Sequence, residues 1–590
     1  MSCSCRQVQP RTSERTEQSI RPVSESKYSL SVSGDGEAQR SEGTGRRYGG
    51  WITFPFIMVT LLGLTVTAWG WLLNLIVFLI EEFNVKSIAA AQISNIVSGC
   101  ISMFPVIGAI VADSFFGTIP VISISALISL MGVVLLTLIA SLDFLRPQPC
   151  ETTSSLCESP TKLQFGILYA ALTLASIGTG GTRFTLATAG ANQYDTPKDQ
   201  GSFFNWFFFT TYLGGAISAI AVVYAEDNVS WKFGFGLCAA VNLVSLVIFM
   251  SGRRFYRHDK PLGSPFTSLL RVVIAAILKR KAVNSLKEGD YHHEVGEKAK
   301  TAVTMPTKSL RFLNCAALKT RNDINPDGSI RNLWRISSVE QVEDFKAVVR
   351  VLPLWLATIF LSTPIATQLS LIVLQGLVMD RRLNPHFKIP AGSLQVITLI
   401  STCVFLTLND RWLFPLYKKL IGRSLTPLQR VGIGHVFNIL SMAVSAIVEA
   451  KRLQIVRNGH LLVSSVAPMS VLWLFPPLVI VGIGEAFHFP GNVALCYQEF
   501  PESLKSTATS MTSVVIGICF YVSTALIDLI QRTTEWLPDD INHGRVDNVY
   551  WVLVIGGVLN LCYFLVCSSF FHYRNLGDDD HGQDTVSGSN

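Results

Sequence analysis

Residues 231–260 read WKFGFGLCAAVNLVSLVIFMSGRRFYRHDK. From Phe233 to Ser251 no side chain is charged, and Arg253, Arg254, Arg257 and Lys260 then follow closely. An apolar run of about 20 residues is what a helix needs to cross roughly 30 Å of hydrocarbon. Basic residues directly after such a run belong on the cytosolic side. This stretch therefore reads as a membrane helix delivering the chain into the cytosol.

Eleven further runs of the same kind flank it. The first set lies near 54–80, 92–112, 119–141, 165–190, 205–225 and 231–251. A second set lies near 347–368, 389–408, 428–449, 467–489, 507–530 and 549–571. Between them, 252–346 is too polar to span. Six runs, a long loop and six more is the layout of two helical bundles facing each other, with substrate bound at their interface. The expected fold is an all-α membrane protein of twelve transmembrane helices in two six-helix bundles, 51–251 and 347–572. Composition agrees: of 590 residues, 49% are hydrophobic and only 15% charged, where soluble domains carry about 25%. A soluble multidomain protein is excluded.

The ends and the loop fix the expected orientation. Arg46 and Arg47 precede the first run, the 252–346 loop is basic, and Arg411, Lys418, Lys419 and Arg423 cluster between the eighth and ninth runs. All belong in the cytosol, with both termini. An outward loop at 450–466 carries Lys451, Arg452 and Arg457 against this trend. Residues 1–50 are polar and Ser/Arg-rich, without the apolar centre of a signal peptide, and read as a disordered cytosolic tail. Ser24, Ser26 and Ser33 there are candidate sites for a regulatory kinase. Residues 573–590 form a second cytosolic tail. Within the loop, 266–278 is apolar enough for an interfacial helix or a bundle-linking helix packed on protein.

Chemistry-bearing groups are few. The net charge of +7 is explained by inner basic loops, and no aromatic-interleaved basic stripe suggests nucleic acid. The twelve cysteines lie mostly inside apolar runs; Cys150 and Cys157 share one outer loop and could pair. No metal-spaced set, phosphate loop or nucleophile–base pair is readable, so no metal, cofactor, ATP-driven pump or enzyme is expected. Ionisable residues inside a bilayer are costly and functional by default. Arg183 follows Gly178-Thr179-Gly180-Gly181 in the fourth run, where the glycines admit a neighbouring helix. Its fork of donors matches planar oxyanions. Glu485, in the tenth run, is a gate, a proton acceptor or the counter-charge of Arg183. Asp113, with Gly117, suits an inner-loop structural motif. His435 and His488 are proton-relay or packing residues. Glu449 and Asp528 lie near outer helix ends, where contact with water or headgroups costs little.

The order of motifs resembles the plant nitrate and peptide transporter family, a branch of the proton-coupled oligopeptide transporters of the major facilitator superfamily. The carriers include Gly178-Thr179-Gly180-Gly181, Gly190-Ala191-Asn192-Gln193-Tyr194, Phe203-Phe204-Asn205-Trp206-Phe207 and Glu226-Asp227-Asn228 with Trp231. Phe387-Lys388-Ile389-Pro390-Ala391, Leu428-Gln429-Arg430-Val431-Gly432, Met469-Ser470-Val471-Leu472-Trp473, Gly484-Glu485-Ala486-Phe487 and Pro501-Glu502-Ser503 continue the set over about residues 50–575.

The departures from that family are informative. Its first-helix Glu-x-x-Glu-Arg/Lys signature, tied to proton coupling, is replaced by Leu61, Leu64 and Thr65. Its usual fourth-helix Lys is Arg183, and the seventh-helix histidine linked to nitrate in some members is missing. Losing two acids and one base leaves the first helix without proton carriers, while Arg183 keeps the cavity attractive to an anion. The pattern looks like the nitrate-excretion branch. It implies passive, low-affinity nitrate efflux by alternating access, with chloride or a proton-coupled symport of peptides or larger organic anions as the alternatives. The resemblance implies the plasma membrane ahead of the vacuolar membrane.

Overall fold

The computed structural model describes residues 49–148, 159–183, 185–258, 265–280, 291–293, 306–307, 309–319, 323, 330–385, 387–459, 466–499 and 505–571. The N-terminal tail through residue 48, Cys150 and Cys157, Pro501-Glu502-Ser503 and the end beyond 571 lie outside the described residues.

Among the described residues, twelve helices are long and apolar enough to cross a membrane. The first six are Phe54–Leu73, Ser87–Phe116, Thr118–Ser141, Lys162–Ala191, Ser202–Asn228 and Trp231–Gly252. The second six are Val339–Leu377, Gly392–Ile421, Pro427–Asn458, Val471–Cys496, Thr512–Thr533 and Val546–Phe570. All twelve coincide with the apolar runs of the sequence. Side chains such as Val244, Val247, Ile555 and Leu559 point outward into what must be lipid.

Several helices run past their apolar stretches because local polar chemistry continues them. The seventh starts at Val339, where Ser338 and Gln341 form a reciprocal capping box. Thr426 and Gln429 do the same for the ninth, with Pro427 preset for the first turn. The first run, by contrast, is broken at Asn74, after which a short helix covers Leu75–Glu81. Gly117, at φ +77° between the second and third spans, holds a conformation that favours glycine.

One pairing pattern is used twice. In the first bundle, the first span packs on the fifth and sixth, the third on the fourth and sixth, and the second on the fourth. In the second bundle the seventh packs on the eleventh and twelfth, the ninth on the tenth and twelfth, and the eighth on the tenth. Adding six to each span number converts one set into the other. The bundles meet along two seams related the same way, second on eleventh and fifth on eighth.

The central segment is a bundle-linking helix, Pro265–Leu278. Its Val272, Ala275 and Ala276 pack on Leu313, Cys315, Val339 and Val342. Lys279 pairs with the wholly buried Asp323 at 2.7 Å. Of the two readings offered by its sequence, packing on protein is met, while Leu270 and Ile277 stay exposed.

The two ends of the molecule are bonded differently. At the end away from the described N-terminus, the bundles are tied to each other. Ser393 Oγ donates to Ala219 O at 2.6 Å, Tyr224 stacks on Phe387 with ring centroids 6.0 Å apart, and Lys86 meets Asp539 at 2.6 Å. At the N-terminal end, bonds close each bundle on itself. Gly50 N donates to Gln193 O at 2.7 Å, Arg257 pairs with Asp195, and Arg430 lies 4.2 Å over the Phe414 ring. The far end is shut by the ties between the bundles.

Candidate functional site

The fourth span is positioned by its glycines. A Cβ on Gly178 would stand 2.5 Å from the Ser129 Cα, and one on Gly180 would stand 2.5 Å from the Phe104 Cβ. Only hydrogen at these positions lets the second and third spans touch the fourth. Thr182 Oγ1 turns back onto Thr179 O at 3.0 Å, so its hydroxyl is used within its own helix. The next residue, Arg183, is thereby held on a rigid three-helix face.

Arg183 is surrounded by protein yet its side chain remains open to solvent. Among the described residues it makes no hydrogen bond or ion pair, and Tyr212 of the fifth span lies within its electrostatic reach. A solvent-exposed guanidinium with unmet donors is equipped to receive an oxyanion.

Glu485 is set from the opposite bundle. A Cβ on Gly482 would stand 2.7 Å from the Ser401 Cβ, and one on Gly484 would stand 3.3 Å from Gly434 O. The eighth and ninth spans thus clamp the tenth on both sides of Glu485. Thr402 Oγ1 lies 3.3 Å from Glu485 Oε2, 2.9 Å from Thr398 O and 3.2 Å from Gly482 O. One hydroxyl proton serves three acceptors, so Glu485 is only loosely held. Glu485 and Arg183 form no ion pair among the described residues. Tyr212 lies in the electrostatic reach of both.

The other residues singled out by sequence fall elsewhere. Leu61, Leu64 and Thr65 are all buried in the first span, which carries no charged side chain. Leu61 joins an apolar cluster with Ile119, Leu186 and Phe249. Asp113 lies in a short π-helical turn, Ala112–Phe116, directly before Gly117. His435 is buried in the second bundle, stacked on Phe564 at 4.8 Å, with His488 in electrostatic reach. Neither nitrogen of His488 has a hydrogen bond among the described residues.

One expectation is corrected. Glu449 is not at a wet helix end: it is wholly buried and paired with the equally buried Arg452 at 2.7 Å. Arg452, read as part of an outer loop, lies on the ninth helix, and Gln375 Nε2 donates to Glu449 Oε2 at 2.7 Å. A residue-by-residue reading assigns the pair to water because its partners lie far off in sequence. Asp528 does stay exposed, pairing with Arg532 at 2.8 Å.

Tyr212 and Thr402 were not legible as site residues. Each sits in an apolar run as an unremarkable polar residue, and only packing brings it beside Arg183 or Glu485.

Comparison with known proteins accords with this architecture. The POT family model, PTR2, matches residues 119–543. Protein NRT1/PTR FAMILY 2.7 of Arabidopsis thaliana is 76% identical over 556 residues, covering 94% of this chain and 98% of that protein. Protein NRT1/PTR FAMILY 2.6 of the same plant is 71% identical, covering 94% and 99%. An auto-inhibited POT family peptide transporter matches with a TM-score of 0.63 at 17% identity, covering 88% of this chain and 97% of that one. The POT family transporter PepTSo matches with a TM-score of 0.62, also at 17% identity, covering 89% and 100%. Two six-helix bundles of repeated pairing and near full-length likeness lead to one assignment: the chain belongs to the POT family, as a membrane transporter of the NRT1/PTR group with the major facilitator fold.

Proposed function

We propose that this transporter carries nitrate outward, passively and with low affinity, by alternating access between its bundles. The observation that carries the reading is the solvent-open, unpaired Arg183 in a cavity whose first helix contributes no ionisable group. A fixed positive charge in a low-dielectric cleft favours a small anion. Leu61, Leu64 and Thr65 remove the family's usual proton carriers from the pathway, so the membrane potential is left as the driving force. With a negative interior, each exported monovalent anion gains about 2.3 kcal/mol per 100 mV. The basic loops support a cytosolic side for the termini, and in this reading the central cavity opens on that side. An exporter resting in this state would be loaded from inside. The plasma membrane is the location proposed with this role. Glu485 acts as gate or counter-charge, moving toward Tyr212 and Arg183 as the cleft closes.

Voltage-clamped flux in proteoliposomes, with nitrate and chloride compared at two pH values, tests this. Nitrate flux that follows the potential and ignores the pH gradient is the expected result. Equal or greater chloride flux would change the substrate and keep the mechanism. Flux that requires an inward proton gradient would overturn the passive reading in favour of a symporter.

A further inference from the structure

Glu226 sits in the last turn of the fifth span, at the shut end of the molecule. It is 2% exposed. Its polar partner is the amide of Asn74, itself buried, where the first helix breaks. Gly234 of the sixth span closes over it from one side: a Cβ there would stand 3.2 Å from the Glu226 Cα. The second bundle seals the other side. A Cβ on Gly392 would stand 2.8 Å from both Asn74 Oδ1 and Leu73 O.

The charged neighbours come from both bundles. Asp227 of the first bundle lies beside Glu226, and Asp227 faces Glu81 of the first and Arg381 of the second, with Lys388 also in reach of Glu81. Cys238 of the sixth span adds a thiol within reach of Glu226. Asp227 Oδ2 lies 3.8 Å from Arg381 Nη1, a nitrogen that makes no hydrogen bond although its side chain is 7% exposed. Glu81, beyond the first span, is pushed above the ordinary carboxylate range by loss of water and then by Asp227, with Arg381 pulling the other way.

Of these groups Glu81 and Lys388 are exposed, and Glu82 adds a further acid beside Glu81, while Glu226 is buried. A buried carboxylate whose polar partner is a neutral amide, and which forms no ion pair among the described residues, is the costliest member to ionise. We propose that Glu226 is a proton-binding site built into the far gate: it holds a proton while Asn74 and Gly392 are shut together and releases it to water when the bundles part there. Its ligand is the proton itself, taken from the medium on the far side.

The consequence follows from linkage. A carboxyl that binds its proton more tightly in the shut state than in the open one stabilises the shut state at low pH. That stabilisation is lost as pH rises through the shut-state value, changing the shut-to-open ratio by up to about tenfold per pH unit. The site is therefore a pH latch on one gate, separate from transport of protons through the central cavity. It rests on the alternating-access reading and not on which anion is moved.

Spin labels on Val229→Cys and Leu383→Cys, both exposed near this gate on opposite bundles, report its opening. They are placed in the full chain after reactive native thiols have been replaced in a variant that retains flux. Distances are read by pulsed electron resonance in nanodiscs at about pH 5 and about pH 8, spanning the range of a raised carboxylate. Native Glu226 should give a short-distance population that shrinks as pH rises. Glu226→Gln, which mimics the protonated group, should stay short at both values, while Asp227→Asn and Glu81→Gln should keep a response. A native distribution unmoved by pH overturns the proposal, as does a full response in Glu226→Gln. Because the distances need no substrate, loss of nitrate flux with an intact pH response would sink the functional reading alone.

Discussion

Arg452 donates to Glu449 through Nε at 2.8 Å and Nη2 at 2.7 Å, one turn apart on the ninth helix, with both side chains wholly removed from solvent. The pair is completed by Asn542, whose Oδ1 accepts from Arg452 Nη1 at 2.5 Å, and by Gln375 of the seventh helix. Tyr550 of the twelfth then donates to Gln375 Oε1 at 3.1 Å. Three helices of the second bundle and the 541–542 turn are joined through two charges. Removing one charge strands the other. Glu449→Ala or Arg452→Ala should each destabilise the protein by about 3–5 kcal/mol, and unfolding followed in detergent checks this. A loss below about 1 kcal/mol would show that water reaches the pair.

Arg183 supplies a charge that no neighbouring ion pair uses. Arg183→Ala should abolish anion flux while leaving expression and membrane insertion intact, since no ion pair or hydrogen bond among the described residues is lost. Arg183→Lys should retain part of the flux, keeping the charge and losing the planar fork. Ordinary flux from correctly inserted Arg183→Ala would remove this residue from the site.

Tyr212 lies in reach of both Arg183 and Glu485. Tyr212→Phe removes one hydroxyl and little packing, so thermal stability should hardly move. Loss of a polar contact worth about 1 kcal/mol lowers flux about fivefold. Flux equal to the native rate would make Tyr212 a wall residue only.

Gly178 and Gly166 share the fourth helix and differ in surroundings. Gly178→Ala would overpack against the Ser129 backbone and should cost about 1–3 kcal/mol. Gly166 has nothing within 4 Å of an added Cβ, so Gly166→Ala should be neutral or slightly stabilising. Melting the two variants side by side decides it, and equal stabilities would contradict the close helix approach.

Asp195 and Arg257 tie two turns at the N-terminal end of the first bundle. The hydrogen bond from Arg257 first, and its charge second, hold Asp195 below the ordinary aspartate value of 3.8. A depressed carboxylate stabilises above its ordinary value and loses that contribution as pH falls through the lowered one. At neutral pH the pair is intact. Asp195→Asn should then speed hydrogen exchange at the amides of Gly49 and Arg257, which bond Phe255 O and Gln193 Oε1 at 2.8 Å. Unchanged exchange would mean that the backbone bonds hold these turns unaided.

The helical spans were legible because a span is a local property. Whether residues 231–251 cross a bilayer depends on their own apolar surface and backbone bonding, which no distant partner alters. Arg183 and Glu485 stood out for the same reason, as charges inside apolar runs. Asn74 gave no sign of breaking the first helix, and the polar start of the seventh helix at Val339 reads as loop until Ser338 is seen capping it.

The amino-acid order alone thus determined the twelve spans, the basic faces and the absence of acids from the first helix, since each is a sum over neighbouring residues. Tertiary structure decided which charges are wet. Arg183 is open and Arg452 is closed, although both are arginines on apolar helices. Glu226 is buried under Gly234 of the sixth span, and its partner Asn74 under Gly392, far along the chain. Solvation of a charge depends on what surrounds it in three dimensions, and those surroundings come from helices that only packing brings together.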